Sequence, residues 1–178
     1  ERLWGRSRTE IDSLRYSDPG LMYSWPGDQI LLVPREGSDD RGITAIITRR
    51  EGLAVARQDV MFQVMGEDIN SFRLIKMKET IGVEADDSVC VHRDVAYWLA
   101  KDGVYAWDDE GIRCISDTKT RNWFITDTYF NRSRLRYAVG RMDYLNNRYA
   151  ILLSAVGSSN LDRWVEYDID TGTWWGPH

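Results

Sequence analysis

The side chains with the clearest chemical potential in this chain are acidic groups at tight turns. Asp168, Asp170 and Gly172 have the spacing that begins a calcium-binding loop, although such a loop needs further oxygen ligands downstream. The same stretch overlaps an Asp-box pattern, D-x-G-x-x-W, from Asp170 to Trp175. In that hairpin the Asp side chain would accept hydrogen bonds from turn amides while the Trp packs beneath it. Because Asp, Thr and Gly form turns for backbone reasons alone, a structural hairpin is the favoured interpretation.

Paired carboxylates and clustered arginines are the next candidates. Residues 86–87 and 108–110 are adjacent acidic groups, but a catalytic pair must converge across a cleft, and neighbours on a turn point apart into water. Arg132, Arg134 and Arg136 alternate in sequence, which would place them on one face of a strand. These three, or residues 49–50, could bind an anion, and the group of three is similar to the arginines of a sialidase-like sugar site. An exposed or interface-facing strand edge is the favoured interpretation.

The chain has few histidine and cysteine side chains that could support catalysis or metal binding. His92 and His178 are the only histidines, too few for a His-based metal site or a Ser-His-Asp triad, and His92 is predicted to be a packed structural side chain on a strand. Cys90 and Cys114 lack metal-ligand spacing and are predicted to be small buried side chains, with a disulfide bond as the alternative. We therefore predict no catalytic, cofactor-binding or metal-binding residues, and no enzyme activity.

These side chains lie on short apolar runs joined by polar turns. The clearest copy begins at Val95, where Asp102-Gly103 separates two aromatic-rich runs and Gly111 closes a second acidic turn. Asp-Gly between such runs is a strong hairpin signal, because Gly accepts the positive φ that these turns need. Eight Trp and nine Tyr support this interpretation, since aromatic side chains fit half-buried strands.

The predicted strands recur in cycles of roughly 45 to 50 residues with four strands each, which is the size of one propeller blade. The leading residues 2–33 are predicted to form hairpins, and residues 118–124 are the one helix candidate, because Trp123 and Phe124 need burial. The strands of the three cycles are predicted at residues 43–48, 53–56, 60–65 and 72–77, then 88–92, 95–100, 104–107 and 112–116, then 136–142, 149–155, 164–168 and 173–175.

The sequence therefore predicts an all-β protein, built as a single β-propeller-like domain over residues 1–178. It would contain about three full blades, each a four-stranded antiparallel meander, and a partial leading blade. Closed propellers usually need at least four blades. The chain is thus expected to be a minimal propeller, an open β array that oligomerises, or a fragment of a larger propeller, and the fragment is the favoured alternative.

Composition narrows the expected partners. The net charge of −5 and the isoelectric point near 5.1 argue against a nucleic-acid-binding surface, and no apolar run is long enough to span a membrane. The cations are mostly arginine, which suits bidentate pairs at protein interfaces, although compositional bias explains the excess equally well. We expect other proteins or further copies of the chain as partners, and neither nucleic acid nor a membrane.

The order of these motifs resembles that of propeller-type structural proteins of tailed bacteriophages. The resemblance is carried by residues 14–20 with Trp25-Pro26, by residues 43–66, by the D-G-V-Y turn and I-S ending within residues 94–116, and by residues 148–153 and 164–174. It implies a non-catalytic virion component of the tail or head–tail region, made in the cytoplasm of the bacterial host. Such a component would assemble as a ring through contacts with itself or with other virion proteins.

Two alternatives to this function remain open from the sequence. Exposed Trp and Tyr side chains could stack on sugar rings, which would make the chain a carbohydrate-binding propeller. A propeller-type glycosidase is the other alternative, and it would need converging carboxylates or a Tyr/Glu pair.

Overall fold

The computed structural model describes residues 4–6, 12–21, 23–35, 41–50, 52–67, 70–116 and 118–178. Within these residues the fold is all-β, as predicted: one antiparallel sheet of three strands and three antiparallel sheets of four strands, with one short α-helix and two 3-10 helices. The chain divides into two compact units, Glu1–Gly82 and Val83–His178. Among the described residues, no helix combines the length and the apolar character needed to cross a membrane.

The described residues of each unit form two sheets, and the strands of each sheet follow one another in chain order. The first unit contains β1 (Trp4–Arg6), β2 (Ser13–Tyr16) and β3 (Ile30–Leu32) in one sheet, and β4 (Ala45–Arg49), β5 (Gly52–Ala56), β6 (Val60–Met65) and β7 (Arg73–Glu79) in the other. The second unit contains the 3-10 helix Asp86–Ser88, β8 (Cys90–His92), β9 (Val95–Ala100), β10 (Gly103–Asp108), β11 (Gly111–Cys114), α1 (Thr118–Ile125), the 3-10 helix Arg132–Tyr137, β12 (Val139–Asp143), β13 (Arg148–Leu153), β14 (Arg163–Asp168) and β15 (Thr173–Trp175).

The four-stranded repeat agrees with the sequence. The first strands of the three four-stranded sheets begin at Ala45, Cys90 and Val139, which are 45 and 49 residues apart. The predicted helix is also confirmed, since α1 covers Thr118–Ile125 and Phe124 is fully buried. Residues 36–40 lie outside the described residues, as does the start of the leading hairpin segment.

The β9–β10 hairpin illustrates why the strands form where they do. Lys101 and Asp102 make the turn, and Gly103 follows at φ +153°. A β-carbon on Gly103 would clash with the Ser116 hydroxyl, which accepts a hydrogen bond from the Val104 amide at 3.1 Å. Glycine is therefore required here both by the backbone angle and by the close approach.

A buried arginine joins the two sheets of the first unit. Arg57, just after β5, is fully buried, and its Nη1 lies 2.5 Å from Oδ1 of Asp12. Arg35 binds the other carboxylate oxygen of Asp12 at 2.5 Å. The hydrogen bonds from Arg35 and Arg57 lower the pKa of Asp12 below its usual value. The Asp12 carboxylate thus neutralises the charge of the Arg57 guanidinium, which is buried away from water.

The two sheets of the second unit pack face to face over an apolar core. One wall comes from the β9–β10 hairpin and the other from β13 and β14, and the rings of Tyr97 and Tyr149 stack between them with centroids 5.6 Å apart. The fully or nearly buried core residues of these four strands are Tyr97, Leu99, Val104, Ala106, Tyr149, Ile151, Leu153, Val165 and Tyr167.

Ser88 makes the buried hydrogen bonds between these two sheets, which we call the seam. Its hydroxyl donates to the Ala85 carbonyl at 2.6 Å and accepts from the Leu99 amide at 3.0 Å. Its carbonyl accepts from the Tyr149 hydroxyl at 2.6 Å, inside the core. Burial raises the pKa of Tyr149 well above its usual value, so the phenol stays protonated and donates. A β-carbon on Gly140 of β12 would collide with the Ser88 carbonyl, so the backbones meet there directly.

We expect Tyr149→Phe to lower the free energy of unfolding by about 1–3 kcal/mol, because the buried Ser88 carbonyl loses its phenol donor. Urea denaturation followed by circular dichroism measures the change. Tyr23→Phe is the matched control, since Tyr23 is 91% exposed and its loss should leave the midpoint unchanged. Equal midpoints for both variants would show that the seam bond contributes nothing.

We expect Asp12→Asn to cost about 3 kcal/mol at neutral pH, because it leaves the buried Arg57 without its carboxylate. The lowered pKa of Asp12 means that its stabilisation is complete above the pKa of the unfolded chain and is lost as the pH falls through the folded value. The variant should therefore lose less stability than the parent below about pH 4. Unfolding curves across pH test this, with the exposed Asp28→Asn as control. Parallel pH profiles for parent and Asp12→Asn would contradict the assignment.

Candidate interaction surface

The arginines predicted to share one strand face lie in a 3-10 helix, so that prediction was wrong. Arg132, Arg134 and Arg136 belong to the helix Arg132–Tyr137, and with three residues per turn, alternate positions point to three different sides. Arg134 and Arg136 instead place their guanidinium carbons 4.6 and 4.8 Å from the centroid of the Tyr137 ring. The other arginines considered for anion binding, residues 49–50, lie elsewhere: Arg49 ends β4 and Arg50 lies in the next turn.

The hairpin predicted as an Asp-box exists, but its residues are shifted. The carboxylate that accepts a turn amide belongs to Asp168, whose Oδ1 lies 3.0 Å from the Thr171 nitrogen. That amide bond is the main cause of a lowered pKa of Asp168. Asp170 is exposed and accepts instead from the Asn147 side chain at 2.9 Å. The packed ring is Trp174, whereas Trp175 is 51% exposed.

The acidic turns do not bring carboxylates together. Asp108 accepts from the Glu110 amide at 3.0 Å through one oxygen and from Nε of Arg113 at 2.9 Å through the other. Asp86 accepts from the amide of Asp87 at 3.2 Å, and both residues are exposed at the start of the 3-10 helix. In the described part of the chain, no group of three or more His, Cys, Asp or Glu side chains could hold a metal ion.

The cysteines and His92 have different surroundings from one another. Cys90 is half-buried against the core, and burial raises the pKa of its thiol. Cys114 is exposed and unpaired by any disulfide, so the prediction that it is buried was wrong; β11 is an edge strand and its last residues face outward. His92 ends β8 as predicted, with Nε2 3.2 Å from Oδ1 of Asn147 and its ring beside Tyr144.

A surface that the sequence did not single out lies on the far side of the last sheet. We call it the open face: the side of β12–β15 opposite to the core. Its apolar members are half-buried or exposed, with Trp164 44% and Trp175 51% exposed. The open face comprises Val139, Arg141, Asp143, Arg148, Ala150, Leu152, Trp164, Glu166, Asp168, Thr173 and Trp175.

Three charged groups on the open face, Arg148, Glu166 and Asp168, are paired with one another. Nη1 of Arg148 lies 3.2 Å from Oε2 of Glu166, and its Nε lies 3.5 Å from Oδ2 of Asp168. The guanidinium carbon of Arg148 also lies 5.7 Å from the centroid of the Trp175 ring. The face thus has exposed tryptophans beside a compact ion-pair group, a mixture of aromatic and arginine side chains that is typical of protein interfaces.

The open face has a covered counterpart in the preceding sheet. β9–β10 and β13–β14 are hairpins of six-residue strands in the same register: Leu99 pairs with Val104, and Leu152 pairs with Trp164. Leu99 and Val104 are fully buried under the last sheet. At the corresponding positions Leu152 is half-buried and Trp164 is exposed. The face that carries Leu99 and Val104 is therefore covered by the last sheet, whereas the equivalent face of the last sheet, the open face, is uncovered.

Comparison with known proteins adds no assignment: no protein-family model matches the chain, and no curated protein matches it. The function is therefore inferred from the chemistry of the chain's own surfaces. The signal in the sequence for the open face was the alternation along β14, where Trp164, Glu166 and Asp168 occupy one side and Val165 and Tyr167 the other. Exposed tryptophans on the polar side of the sheet are typical of protein interfaces, where aromatic side chains are enriched.

We expect Arg148→Met to lower the stability of the isolated chain by no more than about 1 kcal/mol, because ion pairs of half-exposed side chains contribute little in water. High salt should reduce the difference further. Urea unfolding at low and high salt measures it, with the exposed Arg132→Met as control. A loss several times larger, insensitive to salt, would mean that Arg148 supports the fold rather than the surface.

Proposed function

We propose that the chain is a β-propeller-like module that works by protein–protein contact, as a structural component of a tailed-phage virion in its tail or head–tail region. Each four-stranded sheet would be one blade, and the chain would be a fragment of a larger propeller or an open array. Support comes from the 45- and 49-residue spacing of the sheets, from the matching hairpin registers, and from the resemblance of the sequence motifs to phage proteins.

A non-catalytic role is supported by how the acidic side chains are used. Asp168 binds a turn amide, Asp108 binds Arg113, and Asp12 neutralises Arg57. Each of these three carboxylates has a structural partner within hydrogen-bond distance. A glycosidase instead needs two carboxyl groups that face one substrate bond across a gap of about 5–10 Å.

The observation that carries the proposal is the uncovered face of the last sheet. Leu99 and Val104 show that this surface, one repeat earlier, packs against another sheet of the same kind. We infer that the open face is covered in the assembly by a sheet from a second copy of the chain. A contact between the open face of one copy and a different face of the next copy is heterologous. Copies joined by heterologous contacts assemble into closed rings or open filaments.

We expect the molar mass of the chain to rise with protein concentration in size-exclusion chromatography with light scattering. Trp164→Glu should weaken this association about tenfold or more, since it replaces an exposed aromatic side chain of the open face with a charge. Leu145→Glu is the control, because Leu145 is 94% exposed on the turn between β12 and β13. Trp175→Glu provides a second disruption of the same face.

The proposed assembly would be refuted by a strictly monomeric chain at the highest concentrations reached, or by equal association of the Trp164→Glu and Leu145→Glu variants. Circular dichroism of each variant verifies that the fold is retained. Mass spectrometry of purified phage particles tests the virion assignment separately.

A further inference from the structure

A groove on the second unit has the chemistry of a binding site that is separate from the open face. It lies between α1 and the β14–β15 hairpin and has a volume of about 790 Å³, within the range of small-molecule sites. Its aromatic lining consists of Trp123, Tyr129 and Trp174. Trp174 points to this side of β15, whereas its neighbour Trp175 belongs to the open face.

The rings of the groove are held in fixed orientations. The indole nitrogen of Trp174 donates to the Ile115 carbonyl at 2.9 Å, and its ring packs 5.2 Å from that of Tyr167. The Trp123 ring stands at 87° to the Trp174 ring. Tyr129 lies at 66° to Trp123 and is 48% exposed. The groove therefore presents aromatic surfaces in more than one plane before any ligand arrives.

Neutral hydrogen-bonding groups line the rest of the groove. The Thr126 hydroxyl donates to the Asn122 carbonyl at 2.7 Å and lies 3.0 Å from the Thr128 hydroxyl. The exposed side-chain amide of Asn122 adds a donor and an acceptor. Hydroxyl and amide groups can both donate and accept, so they match a ligand that carries many hydroxyl groups.

Charge excludes the other common ligand classes. None of the described residues that line the groove has an ionised side chain, and an ionised ligand would give up water without gaining a counter-charge. A purely apolar ligand would displace water from the exposed Asn122 amide without replacing its hydrogen bonds. A sugar satisfies both conditions, because its C–H face packs on aromatic rings and its hydroxyls pair with neutral polar groups.

We propose that this groove binds an uncharged oligosaccharide segment, with Tyr129 stacking on a sugar ring and the hydroxyls of Thr126 and Thr128 binding sugar hydroxyls. Because none of the described lining residues is acidic, the site binds the glycan without cleaving it. The proposal does not depend on assembly through the open face, since the two sites use different residues.

Calorimetric titration with three neutral trisaccharides, maltotriose, cellotriose and triacetylchitotriose, tests the proposal, with sialyllactose as the charged comparison. We expect saturable binding of at least one neutral trisaccharide at concentrations up to about 10 mM. Saturation-transfer NMR should show the strongest transfer to the C–H protons of the sugar face that contacts the rings.

Two groove variants and two controls locate the site. Tyr129→Ala should weaken binding about tenfold, and Thr128→Val, which keeps the shape of the side chain, should weaken it severalfold. Tyr144→Ala, at a 66% exposed position away from the groove, and Trp164→Glu on the open face should leave it unchanged. No saturable binding of any neutral trisaccharide, binding of sialyllactose alone, or binding that survives both groove substitutions would each overturn the proposal.

Discussion

The contact of two backbones at Ser88 sets the arrangement of the second unit. The Ser88 carbonyl lies directly against Gly140 and accepts the Tyr149 hydroxyl, and its hydroxyl is used by the Leu99 amide and the Ala85 carbonyl. A side chain on Gly140 would hold the sheets apart, and the apolar core between them would lose its close packing. The spacing of the sheets is thus fixed by main-chain atoms, and the core side chains fill the space that remains.

Much of this fold could be predicted because the responsible signals are local. The Asp102-Gly103 turn requires an angle that glycine accepts, and the flanking runs alternate as strands do. The helix α1 was predictable because Trp123 and Phe124 needed burial, and Phe124 is fully buried. These features depend on residues close together in sequence, so they do not require knowledge of the neighbouring sheet.

The failures concern features that burial and particular side-chain contacts decide, and the alternation of residue types does not show these. Arg132, Arg134 and Arg136 alternate as in a strand, but the buried Leu135 and the bond from the Arg132 amide to Asp127 draw the segment into a 3-10 helix. Asp168 rather than Asp170 binds the turn amide, because the β14–β15 register places it there. The alternation along β14 indicates that one of its sides is polar. The sequence could not show that this side is left uncovered, nor could it indicate the groove, since both depend on which side of β14 and β15 is covered.

The shared register of β9–β10 and β13–β14 has an evolutionary consequence. Every four-stranded sheet runs through its strands in chain order, so a whole sheet can be duplicated or deleted between two connecting segments without altering any hairpin. Insertions and deletions that keep the fold should therefore add or remove the coding length of one whole sheet at a time. Insertions of intermediate size would have to be confined to the turns, where a longer loop costs little.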